Sequence, residues 1–356
     1  MPLLIRFMFM MLPKNRLSMK EPKDIKYHTS GQRRAIIFVN HGTPDAPSYF
    51  AVQRYLREFL SDPKVVKLPR CLWLPILYGF ILPFRPFSSA VKYQRIWTAD
   101  GSPFQLYHQS LTKHMSRLLN LLDDNQYIVR YAMRYGNPSL TDVIDSLSAE
   151  AVHSIDVLPL FPQYAESMTG SIFKKITETL SAWPYIPEFN IKLSYHDNHH
   201  YIDEIAKSIE TYWQQAKQRN RLVISFHSLP QKTLKNGDPY YCLCQKTGRL
   251  IAEKLGLDKS EYDICYQSRF GREPWLQPYT QDVLLSLAEN GHQEIDVVCP
   301  GFSMDCLETI DEVAYEFQEL VEEQSTCQLN YIPCLNDSDA ALRLYGHLLG
   351  FHSLTK

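Results

Sequence analysis

The stretch LVISFHSLP, residues 222–230, decides the fold of this chain. Its apolar, largely β-branched start predicts a buried strand, and the histidine, small residue and proline that follow predict the end of that strand. Residues 36–44, IIFVNHGTP, repeat the same design. In a parallel α/β sheet the carboxyl ends of the strands face the ligand crevice. We therefore expect His227 and its counterpart His41 to face one crevice from two strands.

Three further pairs of segments repeat in the same order in the two halves. They are residues 131–138 and 265–274, residues 155–158 and 295–298, and residues 189–193 and 329–332. The first pair shares an arginine (Arg134, Arg269), an aromatic residue, a glycine and a nearby proline (Pro138, Pro274). Helical patterns lie between these segments, among them residues 111–122, 140–147 and 283–287. The alternation predicts an α/β fold of two similar doubly wound, Rossmann-like parallel-sheet lobes, related by internal duplication, with a cleft between them.

The repeat places the boundary between the lobes near residue 205. We expect the first lobe at residues 31–205 and the second, which carries His227, at residues 206–356. Residues 1–30 form a tail with an apolar start followed by lysines and arginines. The tail is either a short anchor or targeting segment or, as we favour, an extension ahead of a true start at Met19. Its apolar part is too short to cross a bilayer.

Composition restricts the class of protein. Apolar residues make up 45% and charged residues 21% of the 356 residues, as in a soluble globular protein long enough for two domains. The net charge of −2 gives no basic surface for nucleic acid. Eight cysteines and the lack of a recognisable secretory signal indicate reduced thiols and a cytoplasmic location.

An acidic segment follows a strand pattern in the second half. Residues 301–309, GFSMDCLET, come after residues 295–298, so Glu308 is expected at the same sheet edge as His227. An imidazole and a carboxylate there can collect protons or hold a divalent metal briefly. The acidic residues at helical spacing are Glu308, Glu312, Glu316, Glu319 and Glu323. Periodicity alone favours an ordinary surface helix with Asp305 as N-cap; a carboxylate pair facing the cleft would need a widened π-turn near the helix start.

The first lobe has a long insertion between its first two strands, at residues 49–122, and residues 69–87 within it are apolar and aromatic. We expect the four prolines of this segment to break it, so that it is not a spanning helix. It is either a buried loop or an exposed apolar lip that touches a membrane or wraps a flat apolar ligand. In the second case Arg85 would anchor an anionic group of that ligand.

Two further pairs of metal-binding side chains are weaker candidates. Cys242 and Cys244 lack a second cysteine pair at ligand spacing. His199 and His200 could form a peripheral metal or entry site. Adjacent residues on a helix point apart, so a structural role for them is equally expected.

Residues 35–340 resemble the ferrochelatases, which insert ferrous iron into a porphyrin to make haem. The most specific matches are HSLP at residues 227–230 with GDPY at 237–240, and DCLET at 305–309 with Glu312. PQY at residues 162–164, TGS at 169–171 and PWL at 274–276 add to them. The resemblance implies a lyase that forms protohaem from protoporphyrin IX and Fe²⁺ with release of two protons, the terminal step of haem synthesis.

The resemblance also implies roles for individual residues. His227 would take pyrrole protons or contact the metal, and Glu308 would be the essential acid opposite it. Glu312 and Glu316 would continue a line of carboxylates that relays protons away. The residues implied to bind the porphyrin are Arg85, Tyr93, Ser102, Arg134, Tyr135, Trp275 and Phe302.

Three features depart from the family pattern. Some ferrochelatases hold an iron–sulfur cluster with one cysteine in the PQY segment and three near the C terminus. Here Ala165 follows that segment and the last cysteine is Cys334, so we expect no cluster and no other cofactor. Cys306 stands where many relatives have histidine, which removes one candidate metal contact. His41 stands where relatives usually have an apolar or other residue, and its role is open.

Two alternatives remain beside an iron chelatase for protoporphyrin. One is a chelatase for another metal or tetrapyrrole, such as cobalt or coproporphyrin III, and the other is a tetrapyrrole carrier. The apolar lip favours a porphyrin with two carboxylates, and the presence of both His227 and Glu308 argues against a carrier. We expect a cytoplasmic monomer or weak dimer, either free or peripheral on the inner face of the membrane through the lip, with no nucleic-acid partner.

Overall fold

The protein is described here by a computed structural model that covers residues 33–123, 126–150, 152–271 and 273–352, so the tail expected at residues 1–30 lies outside it. The first half contains β1 (Arg33–Asn40), α1 (Tyr49–Ser61), α2 (Arg70–Ile76), the π-helix π1 (Leu77–Ile81), α3 (Leu82–Ile96), α4 (Pro103–Leu122), β2 (Tyr127–Met133), α5 (Leu140–Leu147), β3 (Val152–Pro159), the π-helix π2 (Glu166–Gly170), α6 (Ser171–Leu180) and β4 (Glu188–Ile191). The second half contains α7 (His199–Ala216), β5 (Arg221–His227), α8 (Gln231–Lys235), α9 (Tyr240–Lys254), β6 (Tyr262–Gln267), α10 (Thr280–Glu289), β7 (Glu294–Val298), the π-helix π3 (Leu307–Phe317), α11 (Gln318–Gln324), β8 (Gln328–Ile332) and α12 (Asp339–Leu348).

Two parallel sheets of four strands form the centre of the molecule. Their strand orders are β2-β1-β3-β4 and β6-β5-β7-β8, so the second sheet repeats the first. All the named strands pair in parallel, and the central strands are buried on both faces as parallel sheets require. The predicted α/β fold with two similar doubly wound lobes is confirmed.

Strand register shows that the duplication holds residue by residue. Asp156 and Asp296, which the repeat aligns, pair with Asn190 and Asn330 on the next strand. A shift of one residue would turn every side chain to the other face of its sheet. The two lobes have therefore kept the same faces as well as the same order of strands.

The equivalence extends to the carboxyl ends of the edge strands β2 and β6. The N–H groups of Met133 and Tyr266 each donate to a proline carbonyl, that of Pro138 at 2.8 Å and that of Pro278 at 2.9 Å. These two prolines are therefore equivalent, and the expected match of Pro138 with Pro274 is wrong.

The same register relates the two strand-end histidines. Met133 pairs with the residue before His41, and Tyr266 pairs with the residue before His227. Because Met133 and Tyr266 are themselves equivalent, His41 and His227 occupy corresponding positions in the two lobes, as the repeat predicts.

Local sequence explains why the helices begin where they do. Helix α5 follows the Ser139 side chain, which accepts a hydrogen bond from the backbone N–H of Asp142 at 3.1 Å and so caps the helix. The apolar side chains of α5 at spacings of three and four residues pack on the first sheet: Leu140, Val143, Ile144 and Leu147. The helix matches the predicted range 140–147.

The apolar segment of the insertion is helical, contrary to the expectation that its prolines break it. Residues Arg70–Ile96 run continuously through α2, π1 and α3, and by length and composition alone this is the one helix of the described residues that could cross a membrane. Pro83 falls in the first turn of α3, where a missing N–H is tolerated. The π-turn between α2 and α3 loosens the hydrogen-bond ladder, and Pro75 and Pro86 remain inside the two helices.

The helix Arg70–Ile96 has one buried and one exposed apolar face. Its buried face includes Trp73, Leu77 and Tyr93, which pack with α1 and with residues of π3 from the second lobe. Its exposed face carries Leu72, Ile76, Tyr78, Phe80, Phe84, Phe87 and Val91. Of the two readings of residues 69–87, the exposed lip is the one that agrees with this burial.

Helices α7 and α12 connect the lobes. Helix α7 packs on α9 and β8 of the second lobe, whereas α12, the last helix, packs on α4 of the first lobe and on α7. The rings of Phe38 in β1 and Tyr345 in α12 are 5.8 Å apart between centroids. Residue 205, the expected boundary, falls inside α7, and the C-terminal helix covers the sheet of the other lobe.

Candidate active site

The β5 strand ends at His227, which presents one ring nitrogen for chemistry. The Nδ1 atom of His227 is 2.6 Å from the carbonyl oxygen of Ser228. A carbonyl oxygen only accepts hydrogen bonds, so Nδ1 carries the proton of the neutral ring and Nε2 has a free lone pair. The ring is half-buried, and its centroid is 6.4 Å from that of Phe302. His227 can therefore accept a proton or bind a metal ion through Nε2.

The π-helix π3 follows β7 and carries the acidic residues expected at the cleft. All 11 residues of Leu307–Phe317 are π-helical, so the widened turn that we expected near the helix start extends through the whole segment. Such turns are rare and occur mostly at functional sites. Glu308 and Glu312 are both partly buried here, and the charges of His227 and Glu308 both act on Glu312. Glu312 therefore lies within electrostatic reach of both His227 and Glu308, and this segment is not an ordinary surface helix.

Cys306, and not Asp305, caps π3. The N–H of Cys306 donates to Oγ1 of Thr309 at 2.9 Å, and the Cys306 side chain accepts the backbone N–H of Thr309 in return. Asp305 is buried and accepts hydrogen bonds from Tyr331 at 2.5 Å and from Asn336 at 2.7 Å. The predicted N-cap role of Asp305 is therefore wrong. Its carboxylate instead binds Tyr331 of β8 and Asn336 in the segment after β8.

Glu312 is held by residues that follow the neighbouring strand β6. The backbone N–H of Ser268 donates to Glu312 at 2.7 Å, and the Ser268 hydroxyl donates to its other carboxylate oxygen. Burial raises the pKa of Glu312, and the charge of Glu308 adds to this, against the opposing effects of Ser268 and His227. Glu312 is thus a carboxyl group that holds a proton more readily than usual.

The sequence analysis did not identify two residues that hold Glu308 and Glu312 in place. Gln267 donates through Nε2 to the backbone carbonyl of Glu308 at 2.7 Å, and Ser268 binds Glu312. Their position at the end of β6, next to the strand of His227, was the signal that could have identified them.

The outer part of π3 is neutralised by the insertion. Lys92 of α3 pairs with Glu316 at 2.6 Å, and Arg95 pairs at 2.7 Å with Asp311, a buried carboxylate that the helical stripe did not include. The insertion therefore reaches across to the second lobe. Glu316, which the resemblance implies as a member of a proton relay, is ion-paired with Lys92.

His41 faces the cleft from the first lobe. Its ring lies among those of Phe59, Tyr135 and Phe161, at centroid distances of 5.6, 5.8 and 5.0 Å. Burial, followed by the charge of His227, lowers the pKa of His41 to about 4. Its Nε2 atom is buried without a hydrogen-bond partner among the described residues. His41 is therefore neutral at physiological pH and within electrostatic reach of His227.

Arg134 and Tyr135 follow β2 directly, and a buried carboxylate holds both. Nη2 of Arg134 donates to Asp62 at 2.5 Å, and the Tyr135 hydroxyl donates to the same oxygen at 2.9 Å. Ser171 donates to that oxygen at 2.5 Å as well. Arg269, which the repeat aligned with Arg134, lies two residues beyond the end of β6 and is exposed, so the two arginines are not equivalent.

The shared carboxylate, Asp62, is a site residue that sequence analysis missed. Burial alone would raise its pKa, but hydrogen bonds from Ser171 and the Lys64 backbone, together with Arg134, hold the pKa below its usual value. Asp62 therefore stays ionised and fixes the two residues after β2. Its place just after α1, inside the insertion, gave no sequence signal.

Tyr93 and Ser102 are nearly fully buried, at 8% and 3% exposure. The hydroxyl of Ser102 is 3.3 Å from that of Thr43, and Thr43 also bonds to Tyr93. Burial raises the pKa of Tyr93, and the charge of Glu308 adds to this effect, so the phenol lies on the Glu308 side of the site. These residues form a buried polar wall on the Glu308 side of the site.

Arg85, Trp275 and Phe302 lie around the opening. The Arg85 guanidinium carbon is 4.3 Å above the ring of Phe270, which links the lip to the second lobe. The Trp275 indole N–H is buried without a partner in the described part of the chain. Together with Phe302 beside His227, these groups offer one cation and two apolar surfaces to a flat anionic ligand.

The site as a whole can move protons and hold a metal for a short time. It offers the imidazole Nε2 of His227 and the carboxylates Glu308 and Glu312, without a set of four converging ligands among the described residues. Burial raises the pKa of the Cys306 thiol, so this group stays protonated at neutral pH and is a poor metal ligand.

Comparison with known sequences agrees with this chemistry. The sequence model of the family described as ferrochelatase matches residues 33–349. A ferrochelatase of Methylibium petroleiphilum is 44% identical over 342 residues, 94% of this chain and 93% of that protein. One of Polaromonas sp. is 46% identical over 304 residues, 85% and 83% of the two chains. Ferrochelatase 2 of Shewanella oneidensis is 42% identical over 322 residues, 90% and 98% of the two chains.

Solved structures with a similar fold include two chelatases. SirB from Bacillus subtilis with Fe³⁺ superposes with a TM-score of 0.51 at 13% identity, over 90% of this chain and 98% of that chain. The sirohydrochlorin chelatase SirB of Bacillus subtilis subspecies spizizenii in complex with cobalt gives 0.50 at 12% identity, over 88% and 93% of the two chains. At such identities the similarity concerns the fold alone.

Proposed function

The chain belongs to the ferrochelatase family, and on that premise we propose that it inserts Fe²⁺ into protoporphyrin IX to form protohaem with release of two protons. Family membership makes the protein a metal chelatase, a lyase that inserts a metal into a porphyrin in haem synthesis. We assign the direct work on the substrates to His227 and Glu308 of the second lobe.

The hydrogen bond from Nδ1 of His227 to the Ser228 carbonyl is the main support for the role of His227 as proton acceptor. It fixes the tautomer, so Nε2 is the proton acceptor of a ring that is neutral near pH 7. Each turnover frees two pyrrole protons, and His227 takes a proton from a pyrrole N–H as the metal enters the ring.

Glu308 and Glu312 carry protons away along π3. Glu308 faces the substrates, and Glu312, whose pKa is raised by burial, accepts a proton more readily than an ordinary carboxylate. Glu316 follows at the protein surface beside Lys92. A relay of three carboxyl groups therefore leads from the cleft towards solvent.

The sparse ligand set suits Fe²⁺ as a substrate. One imidazole nitrogen and one carboxylate can replace part of the water shell of the ion, and neither holds it so tightly that the product is trapped. A rigid wall on each side can bind the macrocycle bent towards the geometry in which metal enters, which favours the transition state over the flat substrate. Tyr135, held by Asp62, and Phe302 are the wall residues that we propose for this role.

The porphyrin that fits best is apolar with few carboxylates. The lip exposes a run of aromatic and aliphatic side chains, and Arg85 lies among them with its guanidinium over the ring of Phe270. We propose that this face brings the enzyme to the inner face of the membrane, where protoporphyrin partitions, and that Arg85 binds one propionate. Arg134 is engaged by Asp62, so its role is to shape the wall more than to bind a free anion.

We propose that the enzyme works as a monomer or weak dimer without an iron–sulfur cluster. The eight cysteines all lie in the described residues, and no three of them come close enough together to hold a metal. A search for the cluster by its visible absorption in purified protein tests this directly.

The central experiment is anaerobic Fe²⁺ insertion followed optically, with protoporphyrin IX and coproporphyrin III in parallel. We expect turnover of protoporphyrin that falls by at least about 10²-fold in His227→Ala, as for loss of a general base, with porphyrin binding retained. His114→Ala, which removes an exposed histidine of α4, is the matched control and should leave turnover unchanged.

Other outcomes would contradict the proposal in separate ways. A preference for coproporphyrin III, or insertion of another metal only, would indicate the alternative chelatase activity. Equal turnover of His227→Ala and the unmodified protein would overturn the role given to His227.

A further inference from the structure

A cation of the lip meets an aromatic ring of the second lobe at the opening of the site. The guanidinium carbon of Arg85, in α3, lies 4.3 Å from the centroid of the Phe270 ring. Phe270 follows β6 by three residues and has no role in the chemistry described so far. The two side chains come from different lobes, so their contact bridges the entrance to the cleft.

Arg85 is the cation of α3 that remains available to a ligand. The other two cations of this helix are paired with carboxylates of π3, Lys92 with Glu316 at 2.6 Å and Arg95 with Asp311 at 2.7 Å. Arg85 has no carboxylate partner within the part of the chain that the structure describes. A guanidinium that stacks on a ring can still direct the N–H groups in its plane to a carboxylate. Arg85 can therefore contact Phe270 and a ligand at the same time.

Phe270 lies on a segment that is anchored at both ends. At its start, the backbone N–H of Ser268 donates to Glu312 at 2.7 Å, and the positive φ of 64° at Ser268 turns the chain away from β6. At its far end, the N–H of Leu276 donates to the carbonyl of Leu229 at 2.9 Å. The Phe270 side chain is 57% exposed, so it does not serve as a core residue. Its printed contact is with the lip.

We propose that Phe270 is a positioning residue for porphyrin binding, whose ring holds the Arg85 guanidinium in place for one carboxylate of the substrate. This inference rests on the proposed function, because it takes a porphyrin with free carboxylates as the substrate. An unrestrained arginine side chain loses much rotamer freedom when it binds an anion. Phe270 restricts Arg85 before the porphyrin arrives, so less of that freedom is lost on binding.

The position of this cation defines the class of ligand that it recognises. Phe84 and Phe87, on either side of Arg85 in α3, are 69% and 62% exposed. Apolar surface next to a held cation suits a flat apolar body with a carboxylate at its edge. A porphyrin whose carboxylates are esterified keeps the apolar body and loses the anion. Phe270 should therefore affect binding of the free acid and not of the ester.

The test is binding of metal-free protoporphyrin IX to the full chain without iron, followed by quenching of protein fluorescence. Phe270→Leu keeps an apolar side chain but removes the aromatic face, and should weaken binding about two- to fivefold, as for loss of an exposed cation–π contact. Phe270→Tyr keeps the face and should bind like the unmodified protein. In turnover assays with Fe²⁺, the KM for protoporphyrin should rise by the same factor in Phe270→Leu, with kcat unchanged.

A double-mutant cycle shows whether Phe270 acts through Arg85. Arg85→Met removes the cation, and adding Phe270→Leu to Arg85→Met should weaken binding no further. Protoporphyrin dimethyl ester should bind equally to Phe270→Leu and to the unmodified protein. Phe173→Leu, which changes an exposed phenylalanine of α6, is the matched control and should leave binding of the free acid unchanged.

Each of three results would overturn the proposal. One is unchanged affinity of Phe270→Leu for the free acid. The others are an equal effect of Phe270→Leu in the Arg85→Met background, or an equal effect on the ester, since either shows that the ring contacts the macrocycle directly. Protoporphyrin binding that follows the expected pattern without any metal insertion would contradict the proposed function and leave the role of Phe270 intact.

Discussion

Asp62, at the end of α1, accepts hydrogen bonds from both Arg134 and Tyr135 through one carboxylate oxygen. Both donors follow β2, and Asp62 belongs to the insertion, so the insertion sets the geometry of the first-lobe wall. The contacts are almost completely screened from water, since the Asp62 and Arg134 side chains are 4% and 14% exposed.

Asp62→Asn should lower the free energy of unfolding by about 3–5 kcal/mol, because it leaves Arg134 buried without its anion. The pKa of Asp62 is held below its usual value, so its stabilising effect is present above pH 3.8 and is lost as pH falls through the folded-state pKa. Urea unfolding at pH 7 measures the loss of stability in Asp62→Asn, and the same measurement at pH 3 shows how much of the difference depends on pH. Glu253→Gln, in an exposed pair with Arg249, should change stability by less than about 1 kcal/mol; an equal loss in both variants would contradict the prediction.

His41→Leu should make the protein less sensitive to acid. The pKa of His41 is about 4 in the folded chain and 6.5 in the unfolded chain, so the unfolded state binds more protons between these values. The unmodified protein therefore loses about 3 kcal/mol of stability from this group as pH falls from 6.5 to 4. Unfolding measured from pH 7.5 to pH 4.5 should show a shallower decline in His41→Leu than in His114→Leu, and parallel curves would rule the effect out.

Glu312→Gln should change turnover and the pH dependence of stability together. A carboxyl whose pKa is raised on folding costs stability as pH rises above its ordinary value of 4.5, so the variant should gain stability relative to the unmodified protein between pH 4.5 and pH 7. Turnover should fall by about 10²-fold, because a proton acceptor is lost. Glu323→Gln, on the exposed side of α11, should alter neither quantity.

The double change Phe80→Asp and Phe84→Asp should abolish binding to lipid vesicles. The two side chains are 70% and 69% exposed on the lip, and charges there oppose burial in the membrane interface. Vesicle co-sedimentation measures the loss. Leu121→Asp changes an apolar side chain of α4 that is 82% exposed and should leave vesicle binding intact. If the doubly substituted protein still binds vesicles, the lip does not mediate membrane binding.

Strands were predictable because burial imposes a local pattern on them. Residues 155–158 and 295–298 repeat an apolar run with one aspartate, and the structure pairs both aspartates with asparagine at the same register. Helix α5 was predictable for a similar reason, since its cap and apolar spacing lie within the helix itself. Local patterns therefore predicted the four strands of each lobe in their order along the chain and the histidine at the end of β5.

Features that depend on packing between distant segments were not predictable. Asp62 meets Arg134 across 72 positions of sequence, and Arg95 meets Asp311 across 216. The prolines of the lip indicated a break, but the π-turn at Leu77–Ile81 lets the helix continue. His199 and His200 were expected to point apart, yet one ring nitrogen of each lies within 4.8 Å of the other and of one in His347 of α12. This convergence likewise depends on how α7 and α12 cross, which no local pattern records.

The position of α12 has a consequence for synthesis of the protein on the ribosome. Among the described residues β1 is the first strand to emerge, yet Tyr345, whose ring contacts Phe38 of β1, is among the last residues to be translated. The part of the first sheet that Tyr345 contacts therefore stays uncovered for most of the time that the chain is being made, whereas α4 can cover a neighbouring part of the same face earlier. Nascent chains with exposed apolar sheet surfaces are prone to aggregation. Because α12 is translated last, we expect the nascent chain to need protection from aggregation until translation ends.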